Sequence, residues 1–301
     1  MSPSVHFADA MFSLDDAGAK PSEQKTLQVL ELDPNFVPAL LGYGQGLWVI
    51  EGKLTEAIQI IERAIALDPK NSYLRHAAMA VYFDLGDAKA ARAVVAGMPP
   101  SARATGLLSM HDGDWRRAGL SAYDEEGWTN DDALCEFWQN EALRDYALKT
   151  GELKRAIAFI KSKYYFGDSP AAHLDVCNKD AAVDLSQLLA AAGLPEQAAA
   201  LRRAVSSWID ANEAKYLGDS RRIRAGILLL DGKQDEALAE LAKSFRSGFY
   251  VQWWYTINYD PLWLPLHGDA RFQAIAADVR RYVHAQRSQL EALRRQGAVP
   301  K

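Results

Sequence analysis

A chain of 301 residues with 49% hydrophobic and 24% charged side chains carries ample apolar surface for a packed core, which excludes global disorder. The net charge of −5 and pI near 5.7 argue against a nucleic-acid-binding chain, which needs a basic footprint. No run reaches the roughly 18 consecutive apolar residues of a membrane helix, and the opening MSPSVHFADAMFSLDD lacks the basic-then-apolar order of a secretion signal, so a soluble, cytoplasmic chain is expected from the sequence as it stands.

The first elements are irregular. Val5 to Leu14 can form a helix with Val5, Phe7, Ala8, Met11, Phe12 and Leu14 apolar, and Pro21-Ser22 opens a second helix reaching Leu32 before Asp33-Pro34. That Asp-Pro recurs 35 residues later as Asp68-Pro69, so the two helices read as a degenerate opening repeat with DDAGAKP inserted at its turn. The next stretch, Leu40 to Pro69, is regular. Ala57, Ile58, Ile60, Ile61, Ala64, Ile65 and Leu67 fall at spacings of three and four, which gives one helix an apolar stripe. Leu40, Leu41, Tyr43, Gly44, Leu47, Trp48 and Val49 supply the partner stripe, and Gly52 between them can cap the first helix at positive φ.

A third pair follows, capped by Asn71, turning at Gly86-Asp87 and stopped by Met98-Pro99-Pro100. Gly86 and Ala91 lie 34 residues beyond Gly52 and Ala57. A shorter pair spans Ser101 to Tyr123 around the turn His111-Asp112-Gly113-Asp114, where Asp114 is in place to cap the second helix. Pairs are then expected at Asp131 to Tyr165, turning at Gly151; at Lys179 to Glu213, turning at Gly193; and at Ser220 to Phe245, turning at Gly232. Between the first two of these, FGDSPAAHLD is a hinge candidate.

Trp48, Gly52, Ala57, Ala64 and Pro69 stand at the positions that aromatic, glycine, alanine and proline occupy in the tetratricopeptide repeat, with Leu41 in place of the first aromatic. The chain therefore resembles that family. The resemblance implies an all-α, right-handed helical-hairpin solenoid of about six to seven hairpins over residues 1–248. It also implies a protein or peptide ligand held along the first helix of each pair. Carried onto this sequence, the family's groove positions include Tyr73, His76 and Phe83 in the third pair, Trp138, Glu141 and Asp145 in the fifth, and Arg222 in the last. The co-chaperone members hold a terminal carboxylate with Lys and Asn; here Gly42 and Gly46 stand at such positions, so a chaperone-tail receptor is not expected.

Residues 249–301 differ in composition. Trp253, Trp254, Tyr255, Tyr259 and Trp263 raise the aromatic density far above the chain's 10%, and Asp269 to Gln296 reads as one long helix. From Arg271 to Lys301 seven basic residues face two acids, a local charge of +5 against −10 for the remaining 270 residues, so the tail is expected to dock as a cap on the last repeat of its own solenoid. DPLWLPLHGDARF, Asp260 to Phe272, resembles the end of the tetratricopeptide sensor region in CadC-like or ToxR-like membrane-anchored winged-helix regulators, and similar ends occur beside class III nucleotide cyclases. That resemblance implies a sensor in bacterial signalling, periplasmic if the chain is excised from such a regulator. The winged helix and the membrane span are absent from the sequence, so DNA binding does not carry over.

Two readings of the aromatic segment stand side by side: a packed cap, or an alternative site for a small molecule or glycan at Trp253, Trp254, Tyr255 and Trp263. No phosphate-cradling glycine loop, His-Glu-x-x-His or Gly-x-Ser-x-Gly is present, and no nucleophile accompanies His111, so a non-catalytic chain with neither cofactor nor metal is expected. Cys135 and Cys177 are too few and too far apart for a paired-cysteine zinc site. They could form a disulfide in an oxidising compartment if stacking brings their α-carbons within about 7 Å.

Overall fold

The computed structural model describes residues 19–124, 137–164, 166, 174, 175, 178–212 and 217–297. The expected helix at Val5 to Leu14, most of the FGDSPAAHLD linker, and both cysteines lie outside these residues.

Among the described residues the chain is helical without strands, with fifteen α-helices. In order they are α1 (Ala19–Leu32), α2 (Val37–Val49), α3 (Leu54–Leu67), α4 (Ser72–Asp84), α5 (Ala88–Val95), α6 (Ala102–His111), α7 (Trp115–Ser121) and α8 (Phe137–Thr150). There follow α9 (Leu153–Lys163), α10 (Lys179–Ala191), α11 (Pro195–Asn212), α12 (Leu217–Leu230), α13 (Gln234–Arg246), α14 (Trp253–Asn258) and α15 (Ala270–Arg295). No helix among the described residues is long and apolar enough to cross a membrane.

The turns follow the sequence signals. Gly52, Gly86, Gly113, Gly151, Gly193 and Gly232 all have positive φ at the hairpin turns. Asn71 accepts from the backbone N–H of Tyr73 and Leu74, Asp87 from Ala90, and Asp114 from Arg117, each satisfying a helix-start donor that would otherwise lack a partner.

The chain divides into two compact units. The first comprises the described residues of Met1–Met98, Ala214–Arg221 and Leu238–Lys301; the second comprises those of Pro99–Glu213 and Arg222–Ala237. The expected division at 248/249 falls inside the first unit.

In the first unit α2 packs on α3 and α4 on α5, around Leu40, Leu47, Leu54, Ile58, Ile61, Leu74, Met79 and Val81, all fully buried. The C-terminal segment joins this core. It touches the last hairpin, where the rings of Phe245 and Tyr250 lie 5.8 Å apart and Gly218 faces Phe249. The segment also packs on α3 and α4. Phe272, Ala276, Val279, Val283 and Leu290 form the buried face of α15, and the four larger of these are together worth roughly 6–12 kcal/mol of gross hydrophobic stabilisation.

Polar contacts set the register of α15. Thr55 Oγ1 donates to the Gln286 carbonyl at 2.6 Å while its backbone N–H donates to Gln286 Oε1 at 3.1 Å. Tyr282 donates its hydroxyl to the Gly52 carbonyl, and Arg294 reaches Glu62 at 2.6 Å. The charge complementarity seen in the sequence is thus realised at Arg294, although partly exposed pairs of this kind contribute less than the apolar stripe.

Gly52 and Gly248 meet back to back. A Cβ on Gly52 would lie 2.4 Å from the Gly248 carbonyl oxygen, and one on Gly248 would lie 2.8 Å from that of Glu51, so both positions require glycine for space as well as for φ. Beside them Asp84 forms a clasp. Its carboxylate accepts from Trp48 Nε1 at 2.7 Å and from the backbone N–H of Gln252 at 2.9 Å, while its own carbonyl accepts from Trp253 Nε1 at 2.7 Å. Gln252 is the one non-glycine residue with positive φ among those described, at 51°, and its anchored N–H holds that conformation.

In the second unit α6 pairs with α7, α7 with α8, and α10 with α11, while α8 and α10, the first helices of successive pairs, lie against each other. Small residues permit these approaches: a Cβ on Gly106 would fall 2.0 Å from the Trp138 ring, and one on Gly119 would fall 2.2 Å from Tyr146.

Candidate interaction surface

Helices α8 and α10 depart from the amphipathic rule. Trp138 to Ala147 are buried without interruption, and so are Lys179 to Ser186, so each helix is enclosed on every side over that stretch. A helix in that setting is ordinarily apolar all round. Here the buried positions include Gln139, Asn140, Glu141, Arg144, Asp145, Lys179, Asp180 and Asp184.

Enclosed charges must be paired, because desolvating an isolated ion costs several kcal/mol. The structure shows how. Arg144 donates through Nε and Nη2 to Asp145 Oδ1 at 3.0 and 2.9 Å, and through Nη1 to Asp184 Oδ1 at 2.6 Å. The planar guanidinium fork suits this task of joining two carboxylates on neighbouring helices. Lys179 Nζ lies 2.9 Å from Asp180 Oδ2, Arg222 on α12 contacts Asp180 Oδ1, and Arg222 Nη1 lies 3.6 Å from Glu141 Oε1. Two amides, a phenol and a further lysine extend the row. Asn140 Nδ2 donates to the Tyr164 hydroxyl at 2.8 Å, Gln139 Nε2 donates to the Ala122 carbonyl at 2.8 Å, and Lys163 donates to Gln139 Oε1. Burial drives the Tyr164 phenol above its ordinary range, reinforced by the nearby Asp180, Asp184 and Asp175 charges and opposed by the Asn140 hydrogen bond, so it stays neutral.

This row joins some of the residues singled out from the sequence and separates others. Glu141 and Arg222 come together, with Asp145 one turn along α8. Trp138 is buried beneath the row against Gly106. Tyr73, His76 and Phe83 belong to the first unit. There Tyr73 is half-buried, its hydroxyl 3.4 Å from Gln45 Nε2, His76 is buried, and Phe83 is enclosed with its ring 5.8 Å from that of Trp254. Trp253, Trp254, Tyr255 and Trp263 are 8%, 4%, 0% and 3% exposed, which leaves no broad ring face at the surface for a sugar or base to stack on. Trp263 stacks instead on Phe272 at 6.3 Å. Arg144, Lys179, Asp180 and Asp184 escaped the sequence reading. The available signal was Asp180 and Asp184 one turn apart on a helix whose other positions are largely apolar. Among the described residues no group of His, Cys, Asp or Glu side chains could hold a metal ion.

Serial two-helix hairpins turning at glycine, with alanines where the helices cross, are the architecture of a helical-hairpin solenoid. Residues 49–108 match the family model described as tetratricopeptide repeat. No curated protein sequence matches the chain. Among solved structures, the human IFIT1 dimer with PPP-AAAA is similar at 14% identity and a TM-score of 0.53, over 99% of this chain and 74% of that one. The human IFIT1 dimer with m7Gppp-AAAA is similar at 12% identity and a TM-score of 0.52, over 98% and 71%. A tetratricopeptide repeat protein from Parabacteroides merdae aligns at 15% identity over 82% of this chain and 93% of that chain, with a TM-score of 0.40. At 12–14% identity the likeness to the two IFIT1 structures is one of fold alone.

Proposed function

We propose that this chain is a non-catalytic interaction module, a sensor or scaffold in bacterial signalling, which binds a protein or peptide along the first helices of its repeats. The observation that carries this reading is the enclosed ionic row on α8, α10 and α12. Replacing a buried ion network by apolar side chains of similar volume is commonly neutral or stabilising. A packed helix gains little stability from keeping Glu141, Arg144, Asp145, Lys179, Asp180 and Asp184, and the row reaches solvent at Arg222, whose side chain is 19% exposed and is where a partner's charge would meet it. The signalling context rests on the Asp260–Phe272 motif and its resemblance to the sensor regions of membrane-anchored regulators.

A polypeptide suits the row better than the m7Gppp-AAAA or PPP-AAAA named with the human structures. Four cations, Arg144, Lys163, Lys179 and Arg222, are matched by four carboxylates, Glu141, Asp145, Asp180 and Asp184, and binding to a phosphate backbone requires a positive excess.

The test is selection of a displayed random-peptide library on the immobilised full chain, followed by affinity measurement on an enriched peptide. Arg222→Glu, with circular dichroism unchanged, is expected to weaken binding by about tenfold or more, the consequence of breaking a desolvated charge contact. Equal affinity for the variant, or no enrichment in the selection, refutes the groove.

A further inference from the structure

Helices α7 and α9, the second members of successive pairs in the second unit, turn a basic face to solvent in a chain whose net charge is −5. Asp114 to Ser121 and Glu152 to Lys163 together hold six cations, Arg116, Arg117, Lys154, Arg155, Lys161 and Lys163, against two carboxylates. Both carboxylates are committed. Asp114 Oδ1 caps α7 by accepting from the Arg117 backbone N–H at 3.1 Å, and Glu152 accepts from the Tyr146 hydroxyl at 2.5 Å and from Arg155 Nη1 at 3.2 Å. Tyr123, just after α7, ties the two helices side by side: its ring lies 5.1 Å from that of Phe159, and the Arg155 guanidinium carbon sits 3.9 Å from its centre.

Four of the six cations, Arg116, Arg117, Lys154 and Lys161, have no ion-pair partner among the described residues. Elsewhere the chain pairs its outward arginines, Arg202 with Asp231, Arg221 with Glu240, Arg271 with Asp269 and Arg287 with Glu291. Arg116, Arg117 and Lys154 are exposed and Lys161 is half-buried; Lys154 and Lys161, two turns apart, share one flank of α9. Arg116 is near enough to α9 to help lower the Glu152 carboxyl, which the Tyr146 hydrogen bond lowers most. Beside it an open depression of about 430 Å³ has Arg116, Arg117 and Leu120 in its lining, the leucine 43% exposed.

The chemistry of the face selects among anionic partners. A nucleic acid stacks its bases on ring faces as well as setting its phosphates on cations. Here the chain's own cations already lie on the rings: Lys149 Nζ is 4.6 Å from the centre of Trp115, and Arg155 covers Tyr123. A helix that lies in a lipid headgroup layer needs a long apolar stripe, and α7 has seven residues with Leu120 as its one exposed large hydrophobic side chain. We propose that the outer face of α7 and α9 docks an acidic polypeptide segment, its carboxylates on Arg116, Arg117, Lys154 and Lys161 and an apolar side chain on Leu120. At physiological salt the screening length is about 8 Å, so such a segment responds to this face rather than to the net negative charge of the chain. These four cations take no part in the ionic row, so the face stands whether or not that row binds a peptide, and it leaves the first helices open to a second partner.

The experiment measures fluorescence anisotropy of labelled Glu-Glu-Glu-Leu-Glu-Glu-Glu against the full chain at low and at physiological salt. Saturable binding is expected, weakened about threefold or more by the higher salt. Replacing both Arg116→Glu and Lys154→Glu, at exposed positions and with circular dichroism unchanged, should weaken it about tenfold or more, because each reversal turns an attraction into a repulsion. Glycine in place of the peptide's leucine should weaken it about three- to tenfold. Residues 125–136 carry five carboxylates and no lysine or arginine, so a variant with all five as amides is titrated in parallel. Saturation confined to that variant also supports the face, because it shows the chain's own acidic run outcompeting the probe. Absence of binding in both proteins overturns the proposal, as does equal affinity in the charge-reversed variant, equal affinity for the glycine peptide, or affinity independent of salt. Tighter binding of oligo(dT) or of phosphatidylserine vesicles in the same assay overturns it too, assigning the face to nucleic acid or to lipid. Arg222→Glu is expected to leave the response to the glutamate peptide unchanged, which keeps failure of this face distinct from failure of the groove.

Discussion

Replacing Asp84 by alanine tests whether a single carboxylate ties the C-terminal segment to the second and third hairpins. The substitution removes the acceptors of two buried donors, Trp48 Nε1 at 2.7 Å and the Gln252 N–H at 2.9 Å. Each donor left without a partner costs about 1–3 kcal/mol, giving about 2–6 kcal/mol in all. Relief of the desolvation borne by the carboxylate offsets part of this, and loss of the anchor that holds Gln252 in left-handed conformation adds about 1 kcal/mol. The net expectation is a loss of about 2–4 kcal/mol from the first unit.

Urea unfolding reads it, because Trp48, Trp253, Trp254 and Trp263 all report from that unit. A change within about 0.5 kcal/mol, the range of an ordinary surface substitution, refutes the clasp. The pH dependence gives a second reading. Burial raises the Asp84 carboxyl well above its ordinary value, against the lowering by its Trp48 and Gln252 donors. Between the unfolded pKa of about 4 and the raised native value, the native state holds a proton that the unfolded chain has lost, so stability falls as pH rises. The wild type is therefore expected to exceed Asp84→Ala by most below about pH 4, and its lead should shrink through the raised native pKa. An identical pH slope in both proteins counts against this assignment.

Gly52→Ala places a methyl 2.4 Å from the Gly248 carbonyl oxygen at a φ of +68°, and should cost about 2 kcal/mol or more in the same unfolding assay. Gln252→Gly relieves left-handed strain and should raise stability by about 0.5–1 kcal/mol, measured as an upward shift of the urea midpoint. Arg144→Met leaves Asp145 and Asp184 buried without their shared guanidinium, for a loss of about 3–5 kcal/mol in the second unit. Arg155→Ala, at an exposed pair, should change thermal stability by less than about 1 kcal/mol.

The hairpins were legible because local periodicity dictates them. Gly52, Gly86, Gly151, Gly193 and Gly232 each mark a turn that the structure contains, and the helix expected from Asp269 to Gln296 runs from Ala270 to Arg295. The short helix Trp253–Asn258 was not legible: six residues, four of them apolar, are too few to carry a period. The contact of Gln286 with Thr55 was equally hidden, since 231 residues separate the two and nothing in either segment names the other. For the ionic row, register placed Glu141, Asp145 and Arg222 on first helices. It could not show that Arg144 turns inward to Asp184, because a charged residue on a helix is ordinarily assigned to the solvated face.

The first unit draws on residues before Met98 and after Leu238, with most of the second unit between them in the chain. A ribosome adding about 5–20 residues per second reaches Leu290 roughly 10–40 s after Met98. During that interval Trp48 and Asp84 wait on the nascent chain without Gln252 and Trp253, while α6–α11 already have their partners. The N-terminal hairpins are thus the last part of the molecule to reach their final form, and in that interval a chaperone would find their apolar surface.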